Sequence, residues 1–315
     1  MTKYSNATER AAEAISPQQA AAASDRLFLS GFVWGLLGVV AFSLTFPATR
    51  LAVADIDGAV IGLGRAVVAG LLAGALLLAR GSRVPPRHLW LRLVLVALGV
   101  VVGFPLFSSL ALASVPAAHG AVITGLLPAA TAIMAVARAG ERPGPLFWLA
   151  TAAGLAAVLV FAAVQGAGHP QPADVLILIA VVLGGAGYAE GGALARELGG
   201  PETICWALIL SLPVLAPVTA VLIVRDGGLS AGPAAWAGFA YVSVVSMFLG
   251  FFAWYRGLAT GGIARIGQLQ LAQPVLTLLW SALLLGETVS AGTMLAAVAV
   301  LASAALTQFA RVRQH

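Results

Sequence analysis

Residues 58–79 read GAVIGLGRAVVAGLLAGALLLA, a run with one charged side chain, Arg65, and nothing else that water would hold. Coiled as an α-helix at 1.5 Å per residue, the run reaches about 33 Å, enough to cross a hydrocarbon core of about 30 Å. Runs of the same kind recur along the chain and predict ten membrane-spanning helices, at 27–49, 58–79, 88–112, 117–137, 146–164, 173–195, 203–224, 233–256, 262–285 and 290–310. A membrane barrel needs strands of about ten residues alternating apolar with polar, and that pattern is absent.

The composition agrees. Hydrophobic residues make up 60% of the chain and charged residues 9%, with mean hydropathy +0.99, where a soluble domain carries about 25% charged residues. Residues 1–26 are polar and Ala-rich, and read as a cytosolic tail; residues 311–315 form a second, short tail. The Asn6-Ala7-Thr8 triplet matches a glycosylation acceptor, but a cytosolic tail does not meet the glycosylating enzyme. The single Cys205 excludes an intramolecular disulfide, and four scattered histidines give no metal-ligand spacing.

Short cytoplasmic loops favour Lys and Arg. With ten spans and a cytosolic start, 14 of the 17 basic residues fall inside, Arg50 and Arg225 fall outside, and Arg65 lies within a span. Both termini are therefore expected to face the cytoplasm. The net charge of +5 then reflects topology and not an affinity for nucleic acid.

Sliding the second half over the first by 146 residues, without a gap, lays 173–310 on 27–164. Arg50 then meets Arg196, Trp90 meets Trp236, Pro128 meets Pro274, Thr131 meets Thr277 and Glu141 meets Glu287. A unit of five spans is odd, so its second copy must enter the membrane from the opposite side, giving two inverted five-helix repeats around a central cavity. Such repeats rock against each other in many carriers, and some channels share them.

The stretch Ala111-Leu112-Ala113-Ser114-Val115-Pro116-Ala117-Ala118-His119, then Leu127-Pro128 and Glu141-Arg142, resembles the signature of EamA-type members of the drug/metabolite transporter superfamily. Its second copy runs Gly257-Leu258-Ala259, Ile263-Ala264, Gln273-Pro274 and Leu285-Gly286-Glu287. Val300, where the paired fifth span has Gly154, and Phe104-Pro105 in the third span depart from the family pattern without affecting the fold. The overall length and loop pattern are similar to the YddG-type exporters of amino acids, aromatic ones included. That likeness implies a secondary transporter exporting amino acids by alternating access, without a cofactor; a drug or other metabolite exporter is the alternative within the superfamily.

The repeat narrows the search for a site. On span four Gly120, Thr124, Leu127, Thr131 and Ala135 share one helical face, and their partners are Ile266, Gln270, Gln273, Thr277 and Ser281. Hydroxyls and amides at matching heights are costly in lipid and either line a wet cavity or bond across packed helices. Pro128 and Pro274, near mid-span, either break the helix to open backbone toward substrate or mark a compensated kink. Thr45 lies on the matching face of span one. Phe42, Phe46, Phe104, Phe107, Tyr188 and Trp254 are candidates for an aromatic wall, each with lipid contact or packing as its plainer role.

Arg65 and Glu190 are the ionisable residues clearly inside spans. Glu190 is expected to carry a proton, meet a substrate amine or pair with a nearby arginine. Arg65 either meets a substrate carboxylate or, as the preferred expectation, snorkels to the interface. Glu141 and Glu287 are expected to cap or order loops, and His119 to sit at an interface. The glycine pairs 31/35, 70/74, 99/103 and 187/191 fit close helix packing. No catalytic constellation, metal motif or nucleotide-binding loop appears, which argues against an intramembrane enzyme. A channel is the remaining rival.

Overall fold

The structure, a computed structural model, describes residues 17–164 and 171–286, with 298, 299, 302, 312 and 313. The expected tenth span, Glu287, Val300 and most of both tails lie outside these residues. The regular structure of the described residues is helical, apart from one pairing of two-residue strands, β1 (Arg142–Pro143) and β2 (Val312–Arg313).

Among the described residues, seven helical segments are long and apolar enough to cross a membrane: Phe28–Ala52, Gly58–Arg80, Arg87–Leu112, Pro172–Leu198, Gly200–Arg225, Pro233–Gly261 and Ile263–Leu285. In chain order the elements of the first half are α1 (Pro17–Ser43), α2 (Thr45–Ala52), α3 (Gly58–Arg80), α4 (Trp90–Val96), α5 (Phe104–Leu112), α6 (Ala117–Thr124), α7 (Leu127–Ala139) and α8 (Pro145–Val164). The second half has α9 (Pro172–Leu198), α10 (Gly200–Arg225), α11 (Pro233–Ala240), α12 (Gly250–Gly261), α13 (Ile263–Gly267) and α14 (Ala272–Leu285).

The sequence sets the ends of these helices. The Asp57 carboxylate accepts from the Ala59 and Val60 amides and starts α3. Gln171 and Asp174 form a reciprocal capping box ahead of Pro172 and start α9. Gly140 and Gly286, an interval of 146 residues, close α7 and α14 in the left-handed conformation at φ 65° and 71°.

The interval recurs in less ordinary features. A π-helical stretch joins α4 to α5 over Ala97–Gly103, and another joins α11 to α12 over Tyr241–Leu249. The expected fourth span is broken at Gly125-Leu126, so Pro128 stands in the first turn of α7, where its missing N–H costs nothing. The matching helix passes through a 3-10 turn, Gln268–Leu271, just ahead of Pro274.

The most extensive helix contacts join one half to the other: α1 with α12, α3 with α10, and α9 with α7 and α5. Small residues make this closeness possible. A methyl group at Gly99 would come within 2.7 Å of the Gly187 Cα, and one at Gly257 within 2.6 Å of the Gly35 amide. Gly74, by contrast, has open space around it. Outward faces carry exposed Leu and Val, such as Leu71, Leu78, Val221 and Val224, while Thr, Ser, Gln, Arg65 and Glu190 are inside. That inversion of the soluble pattern suits a hydrocarbon surround.

Candidate functional site

A narrow cavity, with room for about one water molecule in this conformation, lies between the two halves. Three of its lining pairs are sequence partners at the 146-residue interval: Phe42 with Tyr188, Val100 with Ser246, and Pro105 with Phe251. Both π-helical stretches reach it, through Val100 on one side and Ser246 and Met247 on the other. Almost all of the lining residues are buried, so bulk solvent reaches the cavity poorly in this conformation.

One wall is aromatic. Phe42 and Tyr188 stack with centroids 6.2 Å apart and planes at 13°, and Phe251 lies 5.0 Å from Phe42. Trp254 stands behind this wall, edge-on to both Phe42 and Tyr188, and is fully buried. Phe104 lines the cavity and is stacked on Phe46.

Polar groups complete the lining. The hydroxyls of Thr45 and Ser246 bond to each other at 2.8 Å across the two halves. Gln273, 7% exposed, offers a side-chain oxygen with no hydrogen-bond partner among the described residues. Gln270, in the 3-10 turn, keeps its amide beside the Tyr188 phenol.

The remaining candidates lie elsewhere. Thr124 and Thr131 each donate to the carbonyl four residues earlier in their own segment, Gly120 and Leu127. Thr277 donates at 2.8 Å to the Ser43 carbonyl and ties α14 to α1. The Gln268 amide donates at 3.3 Å to the Pro128 carbonyl, so the broken helix of one half is held by a side chain of the other.

Glu190 is 4% exposed and is not among the residues lining the cavity. Its carboxylate accepts from Arg92 and, at 3.0 Å, from Arg138, while Arg92 also binds Glu197. Of the roles expected from the sequence, the arginine pairing is the one seen here. Glu141 accepts at 2.6 Å from Arg196 and at 2.9 and 2.7 Å from the amides of Ile263 and Ala264, the first residues of α13. A loop of the first half thus caps a helix of the second. His119 pairs with Asp174 at 2.6 Å.

Arg65 departs from the preferred sequence expectation. It does not snorkel: it is 1% exposed and lines the central cavity beside the Tyr188 phenol. No carboxylate among the described residues pairs with it, and its Nε has no hydrogen-bond partner. Ser246, Met247 and Phe251 were also not singled out by sequence reasoning; each is reached by adding 146 to a residue lining the third span, namely Val100, Val101 and Pro105.

Long apolar helices closed around a buried cavity of aromatic and polar side chains are the build of a membrane transporter. The chain belongs to the EamA-like transporter family, which matches it over residues 29–163 and again over 171–309. It is 46% identical over 283 residues to the "Uncharacterized transporter YdeK" of Bacillus subtilis (strain 168), covering 90% of this chain and 98% of that one. A second relative, the "Probable terminal-alkyne amino-acid exporter" of Streptantibioticus cattleyicolor, is 28% identical over 256 residues, 78% of this chain and 83% of its own. A solved crystal structure aligns with a TM-score of 0.69 over 89% of this chain and 98% of its own at 20% identity, a likeness of fold alone.

Proposed function

We propose that the protein exports amino acids, aromatic ones included, across the bacterial inner membrane by alternating access. The observation that carries this reading is the central cavity lined by three sequence-matched pairs, because a site on the axis relating two similar halves can be opened to either face by rocking one half against the other. Its stacked Phe42 and Tyr188 suit a flat apolar side chain, and its hydroxyls and amides suit a polar head group. The relative named as an amino-acid exporter supports the same substrate class.

In this reading the chain has ten spans in two inverted five-helix repeats, 27–164 and 173–310, with tails 1–26 and 311–315 in the cytoplasm. The double family match and the matched π-helical stretches, helix breaks and terminal glycines support the repeat. Phe42, Thr45, Phe104, Tyr188 and Gln273 form the site, with Trp254 and Gln270 directly behind it. The breaks at Pro128 and Pro274 are the places where helices bend as the halves move. Thr124, Thr131 and Thr277 hold these segments in place.

Uptake of labelled phenylalanine and tryptophan into proteoliposomes tests the function. Saturable uptake with trans-stimulation, lost in Tyr188→Ala and Gln273→Ala with folding intact, is the expected result. Linear flux would point to a channel, and no uptake by folded protein would overturn the amino-acid reading in favour of another metabolite. A fluorescent-protein fusion at residue 315 that fails to fluoresce would overturn the cytoplasmic C-terminus.

A further inference from the structure

The cavity holds a cation without an anion. Arg65 is buried and lines the space, and among the described residues it has no carboxylate partner and no Asp or Glu lines the cavity. The nearest buried acid on α9, Glu190, is already held by Arg92 and Arg138. A guanidinium remains charged at any physiological pH, and burying it among aromatic rings is unfavourable unless an anion meets it. Its planar fork matches a carboxylate with two parallel hydrogen bonds. The α-amine of a substrate has no such counterpart. The groups open to it are neutral: the unpartnered Gln273 oxygen and the Thr45 and Ser246 hydroxyls, which already bond to each other.

We infer that Arg65 is a carboxylate anchor, and that the site takes aromatic and apolar monocarboxylates whether or not they carry an α-amine. This deepens the proposed function and rests on the same cavity. Losing the amine removes a hydrogen bond from an ammonium to a neutral acceptor and, with it, the cost of desolvating that charge, a net change of about tenfold in affinity. Losing the carboxylate strands a buried cation, a hundredfold or more. Amines without a carboxylate are therefore excluded, although the aromatic wall would otherwise welcome them.

The test compares three analogues as competitors of labelled phenylalanine uptake by the wild-type protein in proteoliposomes. 3-Phenylpropionate, which lacks the amine, should inhibit within about tenfold of phenylalanine. Phenethylamine and phenylalaninamide, which lack the carboxylate, should be at least about a hundredfold weaker. Comparable inhibition by either amine would overturn the inference, as would failure of 3-phenylpropionate to compete. Arg65→Gln, checked for folding by its gel-filtration profile and thermal midpoint, should abolish the discrimination, while Arg65→Lys should retain part of it; full discrimination in a folded Arg65→Gln protein would overturn the inference. Should labelled phenylalanine not be transported at all, the amino-acid reading fails separately. Calorimetric binding of 3-phenylpropionate to the purified protein then decides the anchor: binding lost in Arg65→Gln supports it, and no binding to wild type refutes it.

Discussion

Replacing Glu141 by alanine should unfold the join between the two halves before anything else. The wild-type carboxylate is fully buried and accepts three hydrogen bonds, from Arg196 and from the Ile263 and Ala264 amides. The three donors do not suffer equally. Arg196 keeps 28% of its side chain exposed, so water takes over much of its charge and its loss contributes little. Ile263 and Ala264 are fully buried, and their amides have no alternative acceptor at the start of α13. Each buried amide left without an acceptor costs about 1–3 kcal/mol, which puts Glu141→Ala at about 4 kcal/mol. Glu141→Gln keeps one acceptor oxygen and should lose about half as much. Equilibrium unfolding in mixed detergent micelles, followed by tryptophan fluorescence, measures both. A Glu141→Ala protein within about 1 kcal/mol of wild type would refute the idea that this carboxylate holds the helix start.

Three further outcomes follow from the packing. Gly99→Ala must push α9 away from the neighbouring π-helical stretch and should destabilise by about 1–3 kcal/mol, whereas Gly74→Ala, facing open space, should be neutral or slightly stabilising; the same unfolding assay compares them. Glu190→Gln leaves Arg92 and Arg138, both partly exposed, without their shared carboxylate and should cost about 1 kcal/mol while leaving the phenylalanine KM unchanged; a raised KM would bring that residue into contact with substrate. Thr277→Val removes one hydrogen bond to the Ser43 carbonyl, about 1 kcal/mol, again with KM unchanged, and a large KM effect would move this hydroxyl into the cavity.

Much of this organisation is legible in the sequence because it depends on residue type and spacing. A run such as 58–79 has the length and composition of a membrane helix, and the 146-residue interval aligns Pro128 with Pro274 and Glu141 with Glu287 in the sequence itself. What hydropathy does not carry is direction. Arg65 in an apolar run reads the same whether it bends outward to the interface or inward to a cavity, and the direction depends on which helices pack beside α3. The hydroxyls of Thr124 and Thr131 are spent on their own segments, a choice that sequence does not reveal because donation to the residue four back is open to any helical threonine. The π-helical stretches are also silent, since ALGVVVG and YVSVVSMFL are ordinary apolar helix sequences.

The interleaving of the halves has a consequence for how the chain holds together. Because α1 lies against α12, α3 against α10 and α9 against α5 and α7, each half buries its helices mainly on the other. Among the described residues the helices of each half meet those of the other more extensively than they meet their own, so joining the halves in one chain raises the effective concentration of one for the other. Two separately made polypeptides, 1–166 and 167–315, inserted in the same membrane should find each other and rebuild the cavity, with Phe42 from one strand of the gene product facing Tyr188 from the other.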